Sequence, residues 1–123
     1  MKTLVPLATA ASLLMWLPAM AQRIENPRAL RLEGEQAEQL RLLRGDTPEQ
    51  HFPAAARAAA LDGVVVVDVL LNDAGQVLEA QVVNEQPRGQ GFGLAALDTV
   101  KTFEFENPHR RLLLVALTVE FLP

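Results

Sequence analysis

From His51 to the C-terminus, apolar and polar positions follow short blocks of distinct period. Val64 to Leu71 alternates, with Val65, Val67, Val69 and Leu71 on one unbroken apolar face and Asp68 interrupting the other. Consecutive β-branched residues favour strand over helix. Asn72-Asp73-Ala74-Gly75 carries Asn at the first and Gly at the fourth position of a type I turn. Gln76 to Asn84 then returns as a second strand, with Leu78, Ala80 and Val82 on the apolar face and Glu79 and Gln81 on the wetter one. After a polar loop, the period changes. Phe92, Ala96, Leu97, Val100 and Phe103 recur as one face of a helix, with Asp98, Lys101 and Thr102 on the solvent side. Asn107-Pro108 ends that block, and Leu112 to Leu122 resumes strand alternation with Leu113, Val115, Leu117, Val119 and Phe121 inward.

Upstream, Thr47-Pro48-Glu49-Gln50 has the residues of a capping box. Pro53 opposes a long helix through it, so the chain is expected to stay extended or turned up to Phe52. A short helix then runs from Pro53 to Ala60, packing through Ala54, Ala55, Ala58, Ala59 and Leu61. The element order is helix, strand, strand, helix, strand. This is an α+β fold of two layers, an antiparallel three-stranded sheet covered by two helices. Arg28 to Arg44 is charged and leucine-bearing; it reads as a marginal surface helix with Arg31–Glu35 and Glu38–Arg41 pairs, weakened by Gly34. The expected organisation is residues 1–21 as a signal peptide, 22–46 as a partly helical linker and 47–123 as the domain.

The signal assignment rests on Lys2, the apolar run Leu4 to Leu17 and the small-x-small site Ala19-Met20-Ala21 before Gln22. Cleavage would release an exported chain. The alternative is retention of residues 4–21 as a membrane anchor, near the lower length limit for a span. The whole chain carries a net charge of −4, and loss of Lys2 makes it more acidic. Nucleic-acid binding, which depends on Lys and Arg at phosphates, is not expected.

The inventory leaves little room for chemistry. There is no cysteine, so disulfides, thiolate metal sites and cysteine nucleophiles are excluded. The only serine, Ser12, lies in the signal, so no Ser-His-Asp set can form. His51 and His109 are the only histidines, too few to make a nitrogen-rich zinc site without carboxylates brought in by the fold. Gly89-Gln90-Gly91-Phe92-Gly93 superficially suits a phosphate loop, but that motif needs a parallel βαβ unit rather than a hairpin. No cofactor, metal or enzymatic activity is expected. Recognition through backbone remains, because a sheet edge can accept a partner strand. Leu112 to Leu122 is long, regular and free of internal proline.

The ordered set Phe52-Pro53-x-x-Ala56, Leu61-Asp62-Gly63-Val64-Val65-Val66, Asn72-Asp73-Ala74-Gly75-Gln76-Val77, Leu94-Ala95-Ala96-Leu97 and Phe103-x-Phe105-x-Asn107-Pro108 resembles the C-terminal domain of TonB energy transducers. The likeness covers about residues 47 to 123. Phe52 stands where the family usually has Tyr, and Phe103 where it usually has Trp. The resemblance implies a periplasmic protein-binding module, linked to energy transduction or transport across the outer membrane, that binds a receptor segment. Implied partners are an outer-membrane TonB-dependent receptor or another envelope protein, and an inner-membrane proton-channel complex. It also points to the last strand, with Leu112, Leu114, Ala116, Thr118 and Glu120 as the partner-strand residues. A soluble self-associating or envelope-assembly module, a homodimer through the same edge, is the alternative. The family's long proline-rich segment is missing between signal and domain. About 25 residues stand there, spanning roughly 80–90 Å even if fully extended.

Overall fold

The computed structural model describes residues 23–123, so the expected signal peptide or anchor lies outside the described residues. Its main sheet has four strands in the order β1-β6-β3-β4. Strand β3 (Gly63–Leu71) is central and pairs antiparallel with β4 (Val77–Gln86) and with β6 (Leu113–Phe121). Short β1 (Leu30–Arg31) adds parallel to the start of β6. A second, two-stranded sheet joins β2 (Leu42–Arg44) to β5 (Glu104–Phe105). Helix α1 is a single turn at Glu35–Glu38, α2 spans Ala54–Ala58 and α3 spans Phe92–Val100.

The period-2 face of β3 behaves as its sequence requires. Val65, Val67, Val69 and Leu71 are fully buried beneath α3, opposite Val119, Leu117, Val115 and Leu113 of β6. At one end of this core three rings close together. Phe52 meets Phe92 and Phe121 edge-on, each at 5.8 Å, and Phe92 lies 5.2 Å from Phe121. Edge-to-face geometry sets the positive rim of one ring against the negative face of another. The rings bring the turn Pro48–His51, α3 and the end of β6 to one point. Gln50 Oε1 accepts the Thr47 N–H at 2.7 Å, so the Thr-Pro-Glu-Gln stretch does close a tight turn. In α2, Ala56 is the buried residue and Ala54, Ala55, Ala58 and Ala59 are exposed, contrary to the expected packing set. A helix packed on one layer buries one side only, and here Ala56 occupies that side.

Strand β4 departs from simple alternation. Leu71 pairs with Val77 but Leu70 with Glu79, and Val67 with Val82 but Val66 with Asn84. The extra residues, Leu78 and Val83, are bulges that reset which side chains face inward. Leu78, expected on the apolar face, is therefore 56% exposed, and Val77 packs on the core in its place. The second bulge turns Glu85 toward the helix layer, where its carboxylate accepts the Gly93 N–H at 3.0 Å. An acceptor there satisfies a free donor at the positive end of α3. The Gly-rich stretch is thus a helix start. Helix α3 ends at Val100, before Phe103, which stacks edge-on with Phe105 beside the second sheet.

The hairpin turn is fixed from two sides. Asn72 Oδ1 accepts the N–H groups of Ala74 and Gln76, and Gly75 donates to Asn72 O. Phe105 N–H then donates to Gly75 O at 2.9 Å, so β5 docks directly against the turn. Gly75 has φ +84, and a Cβ there would lie 1.7 Å from Phe105 O.

The largest difference from expectation is upstream. Residues 28–44 do not form one helix: Gly34 sits at φ +56 and breaks the chain into β1, the turn α1 and β2. Arg31, expected to pair with Glu35, reaches across the sheet to Asp68. Its Nη1 and Nη2 donate to Asp68 Oδ1 and Oδ2 at 2.7 and 2.8 Å, a bidentate pair. Ile24 N–H donates to Asp68 Oδ2 at 2.8 Å, and Arg31 Nη2 also reaches Ile24 O. Asp68 is fully buried and Arg31 mostly so. The bond to Asp68 raises the Arg31 guanidinium above its ordinary pKa, outweighing the opposing effect of burial. Around this clamp Ile24, Leu70 and Leu114 form a second apolar cluster with Ala29 and Leu112, while Leu32 enters the main core. The wetter face of the hairpin is therefore covered at this point by the chain itself, and the sheet has a fourth strand.

Two stability measurements test these contacts. Gly75→Ala collides with backbone at a left-handed φ and is expected to lower urea stability by about 2–4 kcal/mol. Arg31→Met leaves a buried carboxylate without its cation and is expected to lose about 3–5 kcal/mol, most of it recovered in Arg31→Met/Asp68→Leu, where both charges are gone. Equal losses in the single and double variants would show that the contact contributes through packing alone.

Candidate functional site

The expected partner strand residues lie on β6 and the residue before it, and the structure divides them. Leu30 N–H donates to Leu112 O at 2.9 Å and Leu32 N–H to Leu114 O at 2.8 Å. Backbone groups of alternate residues in a strand point to the same side. The outward-pointing positions along this edge are thus Leu112, Leu114, Ala116, Thr118 and Glu120. The first two already serve β1, and Leu114 is buried in the Ile24 cluster. Ala116, Thr118 and Glu120 are exposed and have no strand beside them among the described residues. On the opposite side β6 is fully paired with β3 in continuous register from Leu113 to Phe121. The open stretch is unbulged and held from behind.

Its surroundings suit an extended peptide. Toward solvent, Thr118 and Glu120 stand beside Val66 and Val64, and Val64 is 44% exposed. Small side chains at Ala116 and Thr118 leave room for those of an incoming strand. On the helix side, Phe121 is locked among Phe52 and Phe92, and Arg57 lies 4.8 Å over the Phe52 ring. The edge is therefore rigid where it is open.

The sheet's other outer edge, along β4, differs. It carries both bulges together with Glu79 and Glu85. Bulges and charges twist and blunt an edge against pairing. Sequence periodicity marked Leu112 to Leu122 as a strand but could not show that β1 covers part of its edge, because two-residue strands have no readable period.

The other candidates do not assemble. His51 Nε2 lies 2.9 Å from Asp46 Oδ2, and His109 sits in the turn organised by Asn107 on another part of the surface. Glu104 and Glu106 face Arg44 and Arg41 across the second sheet. Among the described residues, no group of three or more His, Asp and Glu is placed to hold a metal. A shallow groove of about 210 Å³ lined by Leu32, Gln36, Gln39, Leu40, Pro108 and His109 contains no convergent charged pair. No helix among the described residues is long and apolar enough to cross a membrane.

Comparison with known proteins gives the same fold. No curated protein sequence matches this chain. Among solved structures, the solution NMR structure of the Pseudomonas aeruginosa TonB C-terminal domain aligns with a TM-score of 0.57 at 20% identity. The alignment covers 76% of this chain and 92% of that one. Residues 48–121 match the family model described as Gram-negative bacterial TonB protein C-terminal. With more than half of its length matched, the chain belongs to the TonB C-terminal domain family.

Proposed function

We propose that this domain is a periplasmic protein-binding module that takes an extended segment of an outer-membrane receptor as an added strand beside Ala116, Thr118 and Glu120. The observation that carries this reading is the open, unbulged half of the β6 edge, backed by full pairing to β3. Family membership supports the class of partner, since this family binds outer-membrane receptors in energy transduction. Backbone hydrogen bonds would supply affinity, and the side chains flanking the edge would supply selectivity. Residues 47–123 form the family module in this reading, with the preceding residues packed against it through Leu32, Ile24 and the Arg31–Asp68 pair. Delivery to the periplasm rests on the signal-like residues 1–21, and a link to an inner-membrane proton channel rests on family membership alone.

Thr118→Pro tests the reading. The substitution removes one outward N–H from an edge position, where proline is best tolerated in a sheet. Stability is expected to fall by no more than about 1–2 kcal/mol, while capture of outer-membrane receptors from envelope extracts drops at least tenfold. Unchanged capture with a folded variant would exclude this edge. If the wild-type chain dimerises on sizing and Thr118→Pro makes it monomeric without affecting capture, the edge serves self-association instead.

A further inference from the structure

The clamp on Asp68 bears directly on the docking edge. Strand β1 occupies the line that a partner strand would follow along β6, but only at Leu113 and Leu114. A two-residue parallel strand is a weak element by itself. Here it is anchored on both flanks: Leu32 is 2% exposed in the main core, and Ile24 is 6% exposed in the second cluster. Between these anchors the bidentate Arg31–Asp68 pair joins the segment to the central strand, and the Ile24 N–H adds a third bond to the same carboxylate. The segment is thus held by a side chain and a backbone amide reaching past β6 to β3, in addition to its two hydrogen bonds to the β6 edge it covers.

We infer that the Arg31–Asp68 clamp makes the Ile24–Leu32 segment a fixed stop on the docking edge, so that an incoming strand pairs only beyond Leu114 and takes its register from that stop. This rests on the docking role proposed above and adds how the length and register of the docked strand are set. Ala116 to Glu120 extends roughly 17 Å at the usual rise per residue, room for a short strand only. Arg31 and Asp68 are positioning residues in this scheme: they touch no partner, yet they decide which backbone groups a partner can reach. Without the stop, Leu112 and Leu114 would also be open, and a strand could slide by two residues while keeping its side chains on the same faces.

Amide hydrogen exchange on the full chain, followed by NMR, tests the stop in two stages. In the free protein the Leu30 and Leu32 amides should exchange within about tenfold of Val67 in the central strand, and those of Ala116, Thr118 and Glu120 far faster. Leu30 and Leu32 exchanging as fast as Thr118 would overturn the stop. In the second stage the probe is a synthetic peptide copying residues 27–33, the stop's own strand. With the clamp intact, excess peptide should leave the Leu113 and Leu114 resonances unmoved. In Asp68→Asn, which keeps the shape but removes the charge, it should shift them and deprotect Leu30. Displacement in the wild type, or resistance in a folded Asp68→Asn, would count against the clamp. If that variant does not fold, Arg31→Lys, which keeps the charge but loses the fork, takes its place with the same two outcomes. Neither stage uses a receptor, so loss of receptor capture would overturn the docking role while these results still decide the stop.

Discussion

A carboxylate buried at the middle of the central strand is the constraint on which the rest depends. Asp68 has no solvent exposure and lies between Gln81 of β4 and Ala116 of β6. Desolvating an unpaired charge costs several kcal/mol, so such a group must be met by a cation and further donors. Arg31 and the Ile24 N–H meet this requirement. Their presence forces the chain before α1 to lie across the outer sheet face, which in turn covers Leu70 and Leu114 and sets β1 beside β6. One acidic residue thereby determines how far the sheet is closed and where its open edge begins.

The parts that could be read from the sequence are those with a local signature. The buried face Val65-Val67-Val69-Leu71, the Asn72–Gly75 turn, the inward face of α3 and the alternation of β6 all follow from period and turn chemistry. Errors arose where pairing overrode period. The Leu78-Ala80-Val82 alternation is real in the sequence, but a bulge at Leu78 moves the inward position to Val77. Arg31 lies four residues from Glu35, a spacing that favours a helical pair, yet its partner lies 37 residues away on a strand. Asp68 looked like an interruption of a strand face, and nothing local to it indicates which cation closes over it. The β6 strand itself was legible, but which part of its edge lies open was not.

The two outer edges of the sheet show opposite treatment under the same physics. Any edge strand presents unpaired donors and acceptors and invites association. On β4 the bulges and carboxylates break the even spacing that a partner would need. On β6 the register is uninterrupted, and among the described residues the only cover is a short segment at one end. An unprotected edge in a small protein is a liability unless it is used. Confining it to Ala116–Glu120 limits that liability while preserving the docking surface proposed above.

Rigidity behind the edge matters as much as openness. A docked strand gains from hydrogen bonds only if the acceptor strand does not have to be ordered at the same time, because ordering a loose segment offsets part of the gain. Here β6 is fixed along its whole length by β3, and at its far end by Phe121 packing with Phe52 and Phe92. At its near end Leu113 is fully buried and Leu114 lies under the Ile24 cluster. The open backbone groups therefore sit between two immobilised ends. The Phe trio and the Asp68 clamp hold the same strand from opposite ends. A substitution at either end should act on the edge through order rather than through lost contact with a partner.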